Sequence, residues 1–154
     1  AETIEEFKDA LIGRIGSLAR THRLLTDDDN GVTFGDILHN ELDAFDDGTD
    51  GRISLVGPEV KLSSQLAVSL GMAVHELSTN AAKHGALSVV GGRINVTWSV
   101  TIEAARSTLT FDWVENGGPE VAGPKRHGFG SKRQRVNGFY AERCTRSATI
   151  CSRE

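Results

Sequence analysis

The chain has 154 residues, enough for one domain with a sizeable hydrophobic core. Hydrophobic residues make up 38% and charged residues 25% of it, which is typical of a globular protein and excludes a disordered or membrane-embedded one. The formal net charge of -4 provides no basic surface for nucleic acid, so a polyanionic ligand needs a local basic or amide-lined site.

No apolar run reaches the roughly 18 residues that a membrane-spanning helix needs. Residues 1–6 are polar and acidic and do not resemble a signal peptide. We therefore expect a cytoplasmic domain without direct membrane contact. Cys144 and Cys151 form no C-x-x-C pair, and we expect both to be reduced.

Apolar residues at helical spacing predict three helices in the first half of the chain. The first covers residues 3–25 and begins at Thr3, which with Glu6 fits a capping box. A shorter helix over 34–45 follows a polar loop, and a long helix runs over 63–84.

Short apolar or alternating segments predict the strands. Residues 93–101 and 107–115 alternate and are expected to pair antiparallel, while 60–62 is a candidate partner for 52–56. The remaining predicted segments are a glycine-rich loop over 116–131, a helix over 132–143 and a last strand over 146–152. This order predicts a two-layer α+β arrangement, with helices on one face of a mixed, mostly antiparallel sheet.

The long helix carries a second, polar face. Glu76, Asn80, Lys83 and His84 follow one another at i, i+4, i+7 and i+8, which places them on one side of a helix. A carboxamide oxygen suits Mg²⁺, an ammonium and an imidazole suit phosphate or ribose oxygens, and a carboxylate can orient a proton-bearing nucleophile. An ordinary solvated helix face also explains this pattern, so the spacing alone leaves both interpretations open.

The glycine-rich loop offers a second group of candidate site residues. Glycines such as Gly117, Gly128 and Gly130 permit positive φ and the close approach of backbone to a ligand. The amides of Gly130 and Ser131, which precede a predicted helix, can receive phosphate. The carboxylate of Glu115 can accept a hydrogen bond from an exocyclic amine such as that of adenine. An ordinary turn explains the loop equally well. The loop indicates a ligand site only in combination with the polar face of the long helix upstream.

The segment 75–88, H-E-L-S-T-N-A-A-K-H-G-A-L-S, resembles the N-box of the HWE histidine kinases. This subgroup belongs to an ATPase superfamily that includes gyrase B, heat-shock chaperones and mismatch-repair proteins. It is marked by a histidine that opens the N-box and by a W-x-E motif, here His75 and Trp113-Val114-Glu115. Residues 13–26 resemble the second helix of the family's dimerisation and phosphoacceptor region, and Gly128-Phe129-Gly130-Ser131 resembles the second glycine box.

The resemblance covers residues 4–131 and implies the Bergerat ATP-binding fold, an α/β two-layer sandwich preceded by one dimerisation-type helix. It divides the chain into a partial dimerisation region over 1–26 and an ATP-binding catalytic domain over 27–154. The role of His75 is left open between a structural histidine, hydrogen-bonded near the helix start, and a functional one.

The resemblance also implies roles for the polar face of the long helix. Asn80 matches the asparagine that binds Mg²⁺ between the protein and the phosphates. Glu76 matches the acid that assists the acceptor histidine or a metal-bound water. Lys83 and His84 match residues near the phosphates and the ribose.

Roles for the glycine-rich loop follow from the same resemblance. Glu115 takes the place of the aspartate that contacts the adenine amine in most of the superfamily, and Gly117 matches the glycine that lets adenine approach. Gly128, Gly130 and Ser131 match the end of the ATP lid, with amides that face the phosphates.

The function implied is the ATP-binding catalytic domain of a bacterial two-component sensor histidine kinase that uses ATP and Mg²⁺. Its γ-phosphoryl group passes to a histidine and then to a response-regulator aspartate. No H-R-x-x-N-like motif occurs in the chain, so we expect the acceptor on a helix of the same or a partner protomer and no autophosphorylation by this chain alone.

Only half of a dimerisation hairpin is recognised, which leaves homodimerisation open. Two alternative functions also stay open. One is a nucleotide-binding regulatory module without phosphotransfer. The other is an ATPase of the gyrase or heat-shock-chaperone kind.

Overall fold

The computed structural model describes residues 3–27, 31–46, 51–103, 106–119, 140–141 and 146–153. The helices and strands, in chain order, are α1 (Ile4–Asp27), β1 (Val32–Thr33), α2 (Phe34–Leu42), β2 (Ile53–Val56), β3 (Lys61–Leu62), α3 (Ser64–His84), β4 (Arg93–Glu103), β5 (Arg106–Asn116), β6 (Tyr140–Ala141) and β7 (Arg146–Arg153). Short 3₁₀ turns cover Asp43–Phe45 and Ala86–Ser88. Within these described ranges no helix is both long and apolar enough to cross a membrane.

Backbone contacts divide the chain into two compact units. The first unit comprises Ala1–Phe45 and Glu59–Asn80, and the second comprises Asp46–Pro58 and Ala81–Glu154. The helix α3 therefore contributes residues to both units. The division expected from the sequence at residue 26 stays a prediction.

The three helices predicted in the first half of the chain are confirmed, and the starts of α1 and α2 have local causes. The backbone N–H of Thr3 donates to Glu6 Oε2 at 2.7 Å and that of Glu6 to Thr3 Oγ1 at 3.2 Å, which is the predicted capping box. The helix α2 starts in the same way, with reciprocal hydrogen bonds of 2.9 and 3.1 Å between Thr33 and Asp36. Such pairs satisfy backbone donors that have no partner inside the helix.

The predicted pairing of residues 60–62 with 52–56 is wrong. The β3 segment pairs with β1, Val32 opposite Leu62, whereas β2 lies parallel to β4. Pro58 lies in the connection between the two segments, and its carbonyl accepts from the Trp98 indole at 2.7 Å. The pairing of β3 is thus decided by distant residues.

The helix predicted over 132–143 is also wrong where the structure describes that segment. Tyr140 and Ala141 form β6 and pair antiparallel with Thr149 and Ala148 of β7. Cross-strand pairing overrides the weak helical pattern there, because strand preference depends on the neighbouring strand. The rest of that predicted helix lies outside the described residues.

A five-stranded mixed sheet forms the second unit, in the order β2-β4-β5-β7-β6. Only the β2–β4 pair is parallel, so the sheet is mostly antiparallel, as predicted. In the β4–β5 pair Val96 lies opposite Trp113. Alternation along these two strands buries Ile94, Val96, Leu109, Phe111 and Trp113. The same face continues to Glu115 at the end of β5, because side chains two residues apart point to one side.

A buried carboxylate connects the helices of the first unit. Glu41 of α2 is 3% exposed, and its Oε1 accepts from Ser17 Oγ of α1 at 2.5 Å. Its Oε2 lies 3.0 Å from His75 Nδ1 of α3 and 3.3 Å from Arg20 Nη2. Carboxylate oxygens accept hydrogen bonds, so Nδ1 carries the proton that it shares with Glu41. This geometry favours the structural role for His75.

We expect His75→Ala to lower the free energy of unfolding by about 2 kcal/mol, because it leaves a buried carboxylate oxygen without one of its donors. The matched control is His39→Ala, which removes an exposed histidine that lies 3.4 Å from Asp43. That control should change stability by less than about 0.5 kcal/mol. Chemical denaturation measures both, and equal effects would contradict a structural role for His75.

A second stability prediction concerns the contact of α1 with α3. A Cβ at Gly71 would lie 2.7 Å from the Oγ1 of the buried Thr21, so Gly71→Ala should destabilise by about 1–3 kcal/mol despite better helix propensity. Thr21→Ala should relieve the clash, so the double variant should be more stable than the sum of the single effects predicts. Gly16→Ala, which meets only the flexible end of Arg20, is the control. Chemical denaturation measures these changes. If the change in the free energy of unfolding of the double variant equals the sum of the two single changes, the contact between Gly71 and Thr21 is refuted.

Candidate active site

The second unit holds the most constrained polar group among the predicted site residues. Glu115, half-buried at the end of β5, accepts from the indole Nε1 of Trp113 at 3.0 Å on its Oε1. Its Oε2 accepts from the backbone N–H of Ala86 at 3.0 Å. The carboxylate thereby connects the strand to the turn that follows α3. A residue of the segment 75–88 and the residues of the W-x-E motif are brought together at this point.

Two glycines near this contact are required by the geometry of the backbone. A Cβ at Gly85 would collide with Glu115 Oε2, so only glycine leaves room for that oxygen. Gly117 has a φ of 70°, which glycine adopts at little cost, and a Cβ there would lie 3.1 Å from the carbonyl oxygen of Gly91. Gly117 is therefore required by backbone geometry, in addition to any role beside a ligand.

The turn after α3 is also held from the other side. The guanidinium Nη2 of Arg52 lies 3.2 Å from the carbonyl oxygen of Leu87 and 3.4 Å from that of Val89. Because Arg52 directly precedes β2, this contact joins the turn to the edge of the sheet. The amide of Ala86 is thus presented to Glu115 from a segment fixed at both ends.

Lys83 and His84 occupy the last turn of α3, and both are exposed. In sequence these two residues directly precede Gly85, and they belong to the same unit as Glu115. Cations are also favoured at a helix C-terminus by the backbone dipole, so this placement has a structural benefit of its own.

Glu76 and Asn80 are the predicted site residues of the first unit. Glu76 is held by Arg14 of α1, with Nε–Oε1 at 2.7 Å and Nη2–Oε2 at 3.4 Å, a two-point contact of planar groups. Both side chains keep nearly half of their surface exposed, at 47% and 44%. The contact therefore orients Glu76 while leaving it accessible. Asn80, one turn further along α3, is exposed.

Asn80 would hold a metal ion together with ligands from outside the protein. In the part of the chain that the structure describes, no three His, Cys, Asp or Glu side chains are grouped as a metal site. A single carboxamide oxygen fits Mg²⁺, which commonly keeps several waters and shares phosphate oxygens. The donor set is consistent with the predicted metal role of Asn80.

The predicted site residues are thus found in three places. Lys83, His84, Glu115 and Gly117 belong to the second unit, whereas Glu76 and Asn80 belong to the first. Gly128, Gly130 and Ser131 lie outside the described residues.

Sequence reasoning missed the contributions of Arg14, Arg52, Trp113 and the Ala86 amide. The i, i+2 spacing of Trp113 and Glu115 on one strand was a usable signal, since it places both side chains on one face. The other three act across long sequence separations, which periodicity does not reveal.

Comparison with solved structures confirms the fold class. The blue-light activated histidine kinase EL346 of Erythrobacter litoralis superposes with a TM-score of 0.53 over 93% of this chain and 53% of that chain, at 15% sequence identity. At this identity the likeness concerns the fold alone. The chain has the predicted α/β sandwich architecture.

Sequence comparisons address the family. A family model described as HWE histidine kinase matches residues 1–59. A blue-light-activated histidine kinase of Brucella anthropi is 38% identical over 120 residues, which is 77% of this chain and 24% of that protein. Its counterpart in Brucella abortus is 36% identical over the same shares. The chain spans about a quarter of the length of these relatives. By its family match and its relatives, this chain belongs to the HWE histidine kinases.

Proposed function

We propose that the chain is the ATP-binding catalytic region of a two-component sensor histidine kinase. It binds ATP with Mg²⁺ and passes the γ-phosphoryl group to a histidine on a helix of the same or a partner protomer. A response-regulator aspartate then receives the group. The observation that carries this proposal is the Glu115 carboxylate, oriented by two N–H donors directly beside the cationic end of α3.

The base-binding end of the site is Glu115. An ionised carboxylate has about four acceptor positions, and the contacts with Trp113 and Ala86 use two of them. The remaining positions accept from an exocyclic amine such as that of adenine. Gly117, which carries no side chain, lets the flat base approach the end of β5.

The phosphate-binding end is formed by Lys83, His84 and Asn80. The exposed Lys83 ammonium offsets phosphate charge, the exposed His84 imidazole offers a hydrogen-bonding nitrogen to phosphate or ribose oxygens, and the Asn80 carboxamide oxygen is a ligand for Mg²⁺. The metal, when bound, offsets charge that develops on the transferring phosphoryl group. Within the same proposal, Gly128, Gly130 and Ser131 contribute lid amides to the phosphates.

Glu76 serves the acceptor histidine. Its carboxylate accepts the N–H of the attacking imidazole and so presents the other ring nitrogen in line with the γ-phosphoryl group. Arg14 keeps the carboxylate in one orientation through two contacts. Orientation of this kind lowers the entropy that the reacting groups lose in the transition state.

The outer face of α1 supports a helix as the partner. Ile4, Phe7, Leu11, Ile15 and Leu18 follow at spacings of three and four residues and keep 44–74% of their surface exposed. Such an apolar stripe is typical of a helix that packs against another helix. The acceptor histidine would lie on the helix that covers it.

We expect Asn80→Ala to abolish the magnesium-dependent part of ATP-analogue binding, a loss of about tenfold or more. Calorimetric titration with and without Mg²⁺ measures this difference. Asn95→Ala, which removes a carboxamide from β4, is the matched control and should keep wild-type affinity. Undiminished magnesium dependence in Asn80→Ala would contradict the metal role.

Phosphotransfer is tested by adding a helix that carries the acceptor histidine in trans, together with γ-labelled ATP. We expect acid-labile label on the histidine, and a rate about a hundredfold lower in Glu76→Gln with unchanged nucleotide affinity. Glu59→Gln, an exposed glutamate of the same unit, is the control.

The outcomes of that experiment separate the alternative functions. Nucleotide binding without label on any histidine would favour the regulatory module. Steady release of phosphate without an acceptor would favour the gyrase-like ATPase. Either result would overturn the kinase proposal.

A further inference from the structure

We propose that Trp113 is a positioning residue, which fixes the Glu115 carboxylate in one orientation and thereby sets a preference for adenine over guanine nucleotides. This inference rests on the proposed nucleotide-binding function and deepens it. Trp113 touches the base only through Glu115, so its effect on binding is indirect.

Two N–H groups converge on the two oxygens of one carboxylate. The indole Nε1 of Trp113 reaches Oε1 and the amide of Ala86 reaches Oε2, both at 3.0 Å. Trp113 is 1% exposed, so its N–H has no access to water as a substitute. A buried N–H without an acceptor is costly, and this cost holds Glu115 in the observed orientation.

A carboxamide does not replace the carboxylate in this arrangement. Two N–H donors need two acceptor oxygens, whereas a glutamine offers one oxygen and one NH₂ group. The donors therefore favour an acid at Glu115 whose remaining lone pairs only accept hydrogen bonds. A group that meets those lone pairs has to be a donor.

Where it meets the 6-substituent of the base, this acceptor-only edge discriminates between the two purines. Adenine carries an exocyclic amine at the position where guanine carries a carbonyl oxygen. The amine donates to the carboxylate, while a carbonyl oxygen is repelled by it. An orientation that is set before the nucleotide arrives strengthens this discrimination, because little rotamer entropy is lost on binding.

The backbone supports the same orientation. Trp113 and Glu115 lie two residues apart on β5, and each faces a β4 residue, Val96 and Ile94 respectively. Gly85 leaves space for Oε2, where a Cβ would collide with it. Strand, turn and indole together hold the carboxylate from three directions.

A role for Trp113 in packing alone leads to a different expectation. Its side chain is the largest of the fully buried ones, so its loss would lower stability. Packing damage weakens ATP and GTP binding to the same degree. The ratio of the two affinities therefore separates positioning from packing.

The test compares binding of magnesium complexes of ATP and GTP analogues to the full chain and its variants. We expect Trp113→Phe to weaken ATP binding about tenfold, in line with one lost hydrogen bond to a charged group, and to weaken GTP binding much less. Glu115→Gln should reduce the ATP-to-GTP affinity ratio further. The matched control is Trp98→Phe, which removes from β4 an indole that donates to the carbonyl of Pro58. This variant should keep the wild-type ATP-to-GTP affinity ratio.

A second measurement covers the case in which Trp113→Phe does not fold. The chain contains two tryptophans, so its NMR spectrum has two indole N–H signals, and Trp98→Phe assigns them. We expect the Trp113 signal to shift in Glu115→Gln, and to shift in the wild type with the ATP analogue more than with the GTP analogue.

The outcomes distinguish the inference from the function on which it rests. A wild-type chain that binds neither analogue would overturn the proposed function and the inference with it. ATP binding with an unchanged ATP-to-GTP ratio in Trp113→Phe would overturn the inference alone. If Trp113→Phe does not fold, the NMR measurement decides. An indole N–H signal of Trp113 that does not shift in Glu115→Gln would also overturn the inference alone.

Discussion

A polar group removed from water needs a hydrogen-bond partner, and in each unit of this chain one carboxylate meets that need. Glu41 accepts from Ser17 and His75 in the first unit, and Glu115 accepts from Trp113 and Ala86 in the second. Each carboxylate joins elements that are distant in sequence. The three residues that mark the family, a histidine, a tryptophan and a glutamate, all belong to these two clusters.

Because of this constraint, neighbouring residues of α3 differ in their surroundings. His75 is buried and bound to Glu41, whereas Glu76, the next residue, keeps nearly half of its surface and is oriented by Arg14. Because neighbouring residues on a helix point in different directions, fixing His75 also sets the direction of Glu76. The contact with Glu41 thus fixes the helix on which the candidate site residues Glu76 and Asn80 lie.

Local patterns predicted much of this fold, and non-local contacts account for the errors. The α1 capping box and the β4–β5 pair depend on residues near one another in sequence, and both were predicted. The pairing of β3 with β1 was missed because register between strands far apart in sequence depends on the rest of the sheet. The strand β6 was missed because pairing with β7 overrides a weak helical pattern. Of the candidate site, residue types and spacing were predictable, but the orientation of Glu115 was not.

Periodicity and residue chemistry are local properties, so they were enough to predict the three helices of the first half of the chain, the alternating strands β4 and β5 and the motifs around His75, Asn80 and Glu115. What those motif residues contact depends on the tertiary structure. It placed the Ala86 amide and the Trp113 indole on one carboxylate, and it placed His75 against Glu41. A buried polar atom accepts whichever partner the packed chain brings within hydrogen-bond distance, and that partner is a property of the fold.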